Sequence, residues 1–208
     1  MANLDLETAV LTETNLPFIA GLDEAGRGAL AGPVVAAAVI LPLDNPQALN
    51  ALKEVNDSKQ LTAKTREAMF SRITQHALTY GIGQEPPEVI DEIGIIPATK
   101  RAMITAVSQL NPPAQYLLID GRIHLKNSPL PQQSIIRGDS QSLSIAAASI
   151  LAKVTRDRIM VELDAYYMQY GFAQHKGYGT EQHRVAIEKH GPVPIHRYSF
   201  APIRKPLL

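Results

Sequence analysis

Cysteine is absent from all 208 residues. That excludes disulfides and thiolate metal sites and fits a reducing compartment. No run approaches the ~20 apolar residues that a helical membrane span needs. The opening Met1-Ala2-Asn3-Leu4-Asp5-Leu6-Glu7 lacks the basic n-region of a signal peptide. The chain is therefore expected to be soluble and cytoplasmic. Formal net charge is zero, which counts against a protein that grips nucleic acid by bulk electrostatics. There is no phosphate loop of the Gly-x-x-x-x-Gly-Lys kind, and no repeat, linker or low-complexity segment.

What is present is enough for one sizeable hydrophobic core, with 45% hydrophobic and 19% charged residues. Charge is uneven along the chain. Residues 1–50 carry six acids and one base, Arg27, whereas residues 171–208 carry six bases and two acids. An acidic site and a basic arm can coexist in such a chain.

Residues 18–23 and 33–41 are near-continuous apolar runs, the pattern of strands buried on both faces. Thr62 is placed to cap a helix through His76, and 77–82 reads as a third strand. Pro97 suits the first position of a helix running to Leu110. Tyr116–Asp120 and 133–137 read as further strands. Ser140 or Ser142 opens a long Ala/Ile/Leu-rich helix continuing to about Tyr170, with Gly171 as its stop. Thr180 caps a last helix to His190. Strands in succession, followed by helix-strand-helix alternation, predict an α/β fold with a mixed sheet flanked by helices and a C-terminal helical segment.

Asp23 and Asp120 each end an apolar strand, Glu24 follows Asp23, and Asp139 lies just beyond another strand. Each has an ordinary alternative: a solvated strand end for Asp23-Glu24, a hairpin turn for Asp120-Gly121, a helix cap for Asp139. Together they form an all-carboxylate set, which selects hard cations, Mg²⁺ or Mn²⁺, rather than zinc. A pair of such ions ~3.5–4 Å apart is the usual clamp for phosphodiester cleavage. Adjacent strand residues point to opposite faces, so Asp23 and Glu24 can share a metal only if regular pleating fails there, as Gly26 and Gly28 would allow. Gly26-Arg27-Gly28 would let backbone approach a sugar or phosphate, with Arg27 as counter-charge. Lys59 is another cation ahead of a helix. Tyr178, in His175-Lys176-Gly177-Tyr178-Gly179-Thr180, is a stacking-capable ring beside a helix start; a turn or core tyrosine is the alternative.

In order and approximate spacing, these segments resemble bacterial ribonuclease HII, of the ribonuclease H-like superfamily. The resemblance is carried by Leu22-Asp23-Glu24-Ala25-Gly26-Arg27-Gly28, Asn56-Asp57-Ser58-Lys59, Ile119-Asp120-Gly121, Gly138-Asp139-Ser140, the run from Ser144 to Asp157, Tyr170 to Tyr178, and His196-Arg197-Tyr198-Ser199-Phe200. It implies a ribonuclease H-like catalytic domain over 18–208, with a C-terminal helical region, after an extension of residues 1–17. It also implies Asp23, Glu24, Asp120 and Asp139 as catalytic ligands of Mg²⁺ or Mn²⁺. Gly26, Arg27 and Gly28 would sense the ribose 2′-hydroxyl, Tyr178 would pack on the neighbouring deoxyribose, and Lys59 would contact a phosphate. The implied reaction is hydrolysis on the 5′ side of a ribonucleotide, in RNA/DNA hybrids or in duplex DNA, by a monomer. Gln60 departs from the second lysine common in that family. Asp157 is the rival fourth ligand, but it would lie roughly 25 Å along a helix starting near Ser140, and is read instead as a structural partner of Lys153 or of a nearby backbone group. Rival functions are a catalytically silent nucleic-acid binder, the sister ribonuclease HIII, and an ATPase of related fold.

Overall fold

The computed structural model describes residues 2–55 and 62–203. Its centre is the apolar pair foreseen from the sequence, β1 (Ile19–Ala25) and β2 (Val34–Ile40), the latter buried at every position. β2 pairs antiparallel with β1 and with β3 (Thr79–Glu85). On its other side β1 pairs in parallel with β4 (Tyr116–Asp120), which pairs in parallel with β5 (Gln132–Ile135). The five-stranded mixed sheet has the order β3-β2-β1-β4-β5.

Strand alternation divides two cores. Ala20, Leu22, Ala36, Ala38 and Ile40 face α5 (Ile95–Ser108), packing on Ala102, Met103 and Ala106. Ala25, Ala37 and Val39 face the opposite side, where α6 (Leu143–Asp164) and α3 (Ala63–His76) cover the sheet. Glycine permits the closest approaches. A Cβ on Gly21 would collide with the Ser144 backbone of α6, and one on Gly83 with the Ala102 carbonyl of α5. Thr62 caps α3 as expected, its hydroxyl accepting from the Thr65 N–H. Among the described residues no helix is long and apolar enough to cross a membrane.

Several boundaries differ from the sequence reading. α6 stops at Asp164, not near Tyr170. The chain must leave the helix there to turn Tyr170 inward, where its ring stacks on Phe172 at 5.3 Å in a small core with Ala31, Met160 and Ala186. Gly171, with φ 74°, opens the short α7 (Phe172–His175) rather than closing α6. Pro97 is the third residue of α5, not the first; the N–H groups of a first turn have no helical partner, so proline is tolerated there. Besides α7, three helices among the described residues were not foreseen: α1 (Asp5–Thr14), α2 (Pro46–Ala51) and α4 (Pro87–Ile93). The last helix, α8 (Glu181–His190), is capped by Thr180 as read.

α1 is tied to the start of α6. Glu7 is 1% exposed. Its Oε1 accepts from the hydroxyls of Ser142 and Ser144, both at 2.6 Å, and from the Ser144 N–H at 2.9 Å. Asn3 donates its N–H to the Gln141 carbonyl and accepts from the Leu143 N–H. Removing a partner from a buried set of donors costs about 1–3 kcal/mol. Glu7→Ala is therefore expected to lower the melting temperature by several degrees, at about 2–4 °C per kcal/mol for a domain of this length. An unchanged thermal melt would show that α1 adds nothing to the fold.

Candidate active site

β1 and β4 run in parallel, so their carboxyl ends meet at one edge of the sheet. Their register ends at the Leu22–Ile119 pair, and the next residues on the two strands are Asp23 and Asp120. Asp120 Oδ1 accepts the Gly138 N–H at 2.7 Å. This bond fixes the single 3₁₀ turn Gly138–Ser140, in which Asp139 is buried. Asp139 is not the cap of α6: Ser142 fills that position, accepting from the Ile145 N–H.

Asp23 is 5% exposed and faces α6. Burial, then the like charges of Glu24 and Asp120, push its carboxyl well above the usual carboxylate range; the Glu24 N–H and the Ser149 side chain act in the opposite direction. The anticipated break in pleating between Asp23 and Glu24 does not occur. Both keep register with β2, opposite Ala37 and Ala36, and the turn comes later, at Gly26 with φ 94°. The two acids thus leave opposite faces of β1, and Glu24 pairs with Arg27 at 3.0 Å. Asp157 binds Lys153 at 2.7 Å, as read from the sequence. Fourteen residues after Leu143, it lies about 21 Å along α6.

The loop after β1 is held by two buried arginines whose roles sequence reasoning missed. Arg156 is fully buried and donates to the carbonyls of Pro33 and Ala31 at 2.9 Å and of Lys176 at 2.8 Å. Arg197, also fully buried, donates to Gly32 and Arg27 carbonyls. Burial pushes the Arg197 guanidinium down to about 9, with the nearby Arg156 charge adding to the effect, and lowers Arg156 as well. Gly26 is compelled by this packing, since a Cβ there would run into the Arg156 side chain. Gly28 is not: it is exposed, and a Cβ there would meet nothing within 4 Å. Tyr178 lies beside the loop through its bridge to Ala29, and Arg156 sits 5.2 Å from the centre of its ring. Lys59 lies outside the described residues.

The structure thus brings Asp23, Glu24 and Asp120 into electrostatic contact and seats Asp139 one residue beyond the Gly138 bond to Asp120. Among the described residues, no three His, Asp or Glu side chains form a ready metal cage. The donor chemistry nonetheless fits a hard divalent cation, because every candidate is a carboxylate and the buried Asp23 carries like-charge repulsion that a cation would relieve.

Two expectations follow for the metal-free protein. A carboxyl whose folded pKa is raised withdraws stability as pH rises through that value. At neutral pH in a chelator, Asp23→Asn is expected to melt about 2–4 °C higher, the equivalent of ~1 kcal/mol; a lower melt would contradict the electrostatic strain. Gly26→Ala is expected to lose about 1–3 kcal/mol to overpacking, while Gly28→Ala melts at the parental temperature. Equal melts for the two glycine variants would rule out this distinction.

Comparison with known proteins agrees with this architecture. The ribonuclease HII family model matches residues 20–203. Ribonuclease HII of Ruminiclostridium cellulolyticum is 56% identical over 199 residues, 95% of this chain and 74% of that protein. Among solved structures, ribonuclease H2 from Pyrococcus horikoshii OT3 superposes with a TM-score of 0.76 at 27% identity, covering 89% of this chain and 95% of that one. Bst-RNase HIII in complex with Mn²⁺ shares the fold, with a TM-score of 0.68 at 18% identity over 94% of this chain and 71% of that one. The match spans the acid-bearing strand ends, the buried-arginine loop and the C-terminal helices alike, and the chain belongs to the ribonuclease HII family.

Proposed function

We propose that this ribonuclease H-type nuclease hydrolyses the phosphodiester on the 5′ side of ribonucleotides, in RNA/DNA hybrids and in duplex DNA with embedded ribonucleotides, leaving 3′-hydroxyl and 5′-phosphate ends. The observation that carries the reading is the buried Asp23 carboxyl, raised by burial and by the charges of Glu24 and Asp120 at the shared end of β1 and β4. Asp23, Glu24, Asp120 and Asp139 would hold Mg²⁺ or Mn²⁺, with Asp23 and Glu24 reaching a pair of ions from opposite faces of β1 rather than sharing one, a donor set in keeping with the Mn²⁺ complex of the HIII fold neighbour. Bound there, two such ions would supply the Lewis acidity that activates water and stabilises the departing 3′ oxygen.

The chain's own groups do the positioning. The Gly138 N–H orients the Asp120 carboxylate, and the Ser149 side chain and Glu24 N–H orient that of Asp23. Gly26 shapes the turn that presents Arg27 and Gly28. A Cβ on Gly28 would meet nothing within 4 Å, so the space left there is free for a sugar to approach the backbone. Phosphate contacts are common to all nucleic acids, and only a group that reads the 2′-hydroxyl distinguishes RNA from DNA. The loop 26–28 is assigned that reading, Tyr178 the packing against the adjacent deoxyribose, and Lys59 a phosphate contact. In the same reading residues 18–208 form one catalytic domain with a C-terminal helical region, residues 1–17 are an extension, and the enzyme acts as a cytoplasmic monomer.

The test is a duplex carrying one ribonucleotide. It is expected to be cut with Mg²⁺ or Mn²⁺ and to stay intact in excess EDTA, and the 2′-deoxy and 2′-O-methyl duplexes should bind without being cut. Comparable cutting of the all-deoxy duplex would make the enzyme a general nuclease and remove the role given to Gly28 and Tyr178. Loss of an outer-shell partner of a metal already costs 10–100-fold. Asp120→Asn and Asp139→Asn are therefore expected to slow single-turnover cleavage by about 100-fold or more, whereas Asp157→Asn mainly lowers the melting temperature. A reversed order of the Asp139 and Asp157 rates would overturn the choice of ligand.

A further inference from the structure

Three histidines, His175, His183 and His196, are buried together behind Tyr178. The His175 and His183 rings stack at 4.4 Å, and the Nε2 atoms of His183 and His196 are 3.1 Å apart. Hydrogen-bond partners assign their protons. His183 Nδ1 lies 3.0 Å from the Tyr178 carbonyl, which can only accept, so Nδ1 carries the proton. In neutral His183 the Nε2 must then accept, and His196 must donate to it from its own Nε2. His196 Nδ1 then accepts the Val193 N–H at 3.0 Å; the Val193 carbonyl, 3.1 Å from the same nitrogen, could take a proton from it only in the charged ring. His175 closes the group, donating from Nε2 to the Tyr170 carbonyl at 2.7 Å and accepting the Gly177 N–H at 3.2 Å. With all three rings neutral, each of these contacts except that of the Val193 carbonyl has one donor and one acceptor.

We propose that His183 is a positioning residue for Tyr178, fixing the backbone of that tyrosine through Nδ1–H and locked in this tautomer by His196. The proposal rests on the reading of Tyr178 as the ring that packs on the substrate sugar. The surroundings make the lock directional. The Lys176 and Gly177 carbonyls are taken by Arg156 and by the Leu30 N–H, and the Tyr178 ring lies near Arg156 and Lys153 on α6. Among the described residues, the α8 side chain that bonds residues 176–178 is His183, which reaches Tyr178 and Gly177, while the Tyr178 carbonyl also accepts the Thr180 N–H at 2.8 Å.

The groups facing His183 are His175 from α7 and His196 from the C-terminal segment, with Tyr170 beside His196 at 5.1 Å and Arg197 next in the chain. Burial pushes His183 down to about 4, and the neighbouring histidines add to the shift against the opposing Tyr178 carbonyl; burial lowers His196 too. A histidine with a depressed folded pKa gives its full contribution above its ordinary value of about 6.5, and that contribution drains as pH falls toward the folded value. Protonated His183 would also set two N–H donors against each other at Nε2. The tether is therefore complete at neutral pH and is lost on the acid side.

The experiment is a double-mutant cycle, with kcat and KM measured on the one-ribonucleotide duplex at neutral pH. His183→Ala is expected to lower kcat/KM by about tenfold, the scale of one neutral hydrogen bond, and to add no loss when combined with Tyr178→Ala. His183→Asn can place an amide N–H where Nδ1 stands and is expected to recover activity to within about twofold; His183→Gln reaches the Nε2 position instead and is not. If His183→Ala does not fold, the Asn and Gln variants carry the comparison. An undiminished His183→Ala loss in the Tyr178→Ala background, or a folded His183→Asn no better than His183→Gln, overturns the proposal. If Tyr178→Ala alone cleaves at the parental rate, the sugar-packing role of Tyr178 falls first, a separate result from failure of the tether.

Discussion

The Arg156 guanidinium is the contact on which the arrangement of this molecule turns. Taking a guanidinium out of water costs several kcal/mol unless each N–H finds an acceptor, and here the acceptors belong to two distant parts of the chain. Pro33 and Ala31 lie between β1 and β2, and Lys176 lies beyond α7. The bonds of this side chain thus pin the loop after the acids to the segment that carries Tyr178. Arg197 repeats the device from the C-terminal side, donating to Gly32 and Arg27. Gly26 then has no freedom to be anything else, because Arg156 occupies the place of its Cβ.

Against that rigid frame the acids are under strain. Asp23 is buried beside two like charges, with only the Glu24 N–H and the Ser149 side chain to favour its ionised form. A site that spends stability on clustered carboxylates is the mark of a function needing them, since structural acids are ordinarily paired or solvated. The strain is tolerable because its supports are local and strong: β1 is held on both sides by β2 and β4, and the turn bearing Asp139 hangs from Asp120 through one short bond.

The central strands were legible in the sequence because β1, β2 and β4 are apolar runs whose burial on both faces leaves a direct compositional trace. Asp120 was legible as a candidate because it ends such a run, and Asp139 because it lies just beyond the short strand β5. The pleat at Asp23 was misjudged: Gly26 suggested a break two residues early, whereas the ladder with β2 carries both acids in register. α1 left little trace because its decisive residue, Glu7, looks like any surface acid until Ser142 and Ser144, more than 130 positions away, supply its partners. The same holds for Arg156, Arg197 and the histidine group. Charged and polar residues are read as exposed by default, and their burial here is set by carbonyls and rings distant in sequence. The end of α6 failed for a related reason, since helix propensity persists past Asp164 while Tyr170 is claimed by a core it shares with Phe172 and Ala186.

The charge asymmetry along the chain acquires its meaning only in three dimensions. The loop after β1 and the C-terminal segment are brought edge to edge, with Ala29 bridged to Tyr178 and Ala31 to His196. A chain with no net charge therefore sets the loop that follows Asp23 and Glu24 beside its C-terminal segment. For the function proposed, that adjacency would reconcile two opposing demands: carboxylates that repel a phosphate backbone, and cations that must draw one in. Affinity then need not come from the field of the whole molecule. On the roles proposed for the loop 26–28 and Tyr178, it would be confined to the strip where they meet, so that grip and the reading of the sugar would be exercised at the same place.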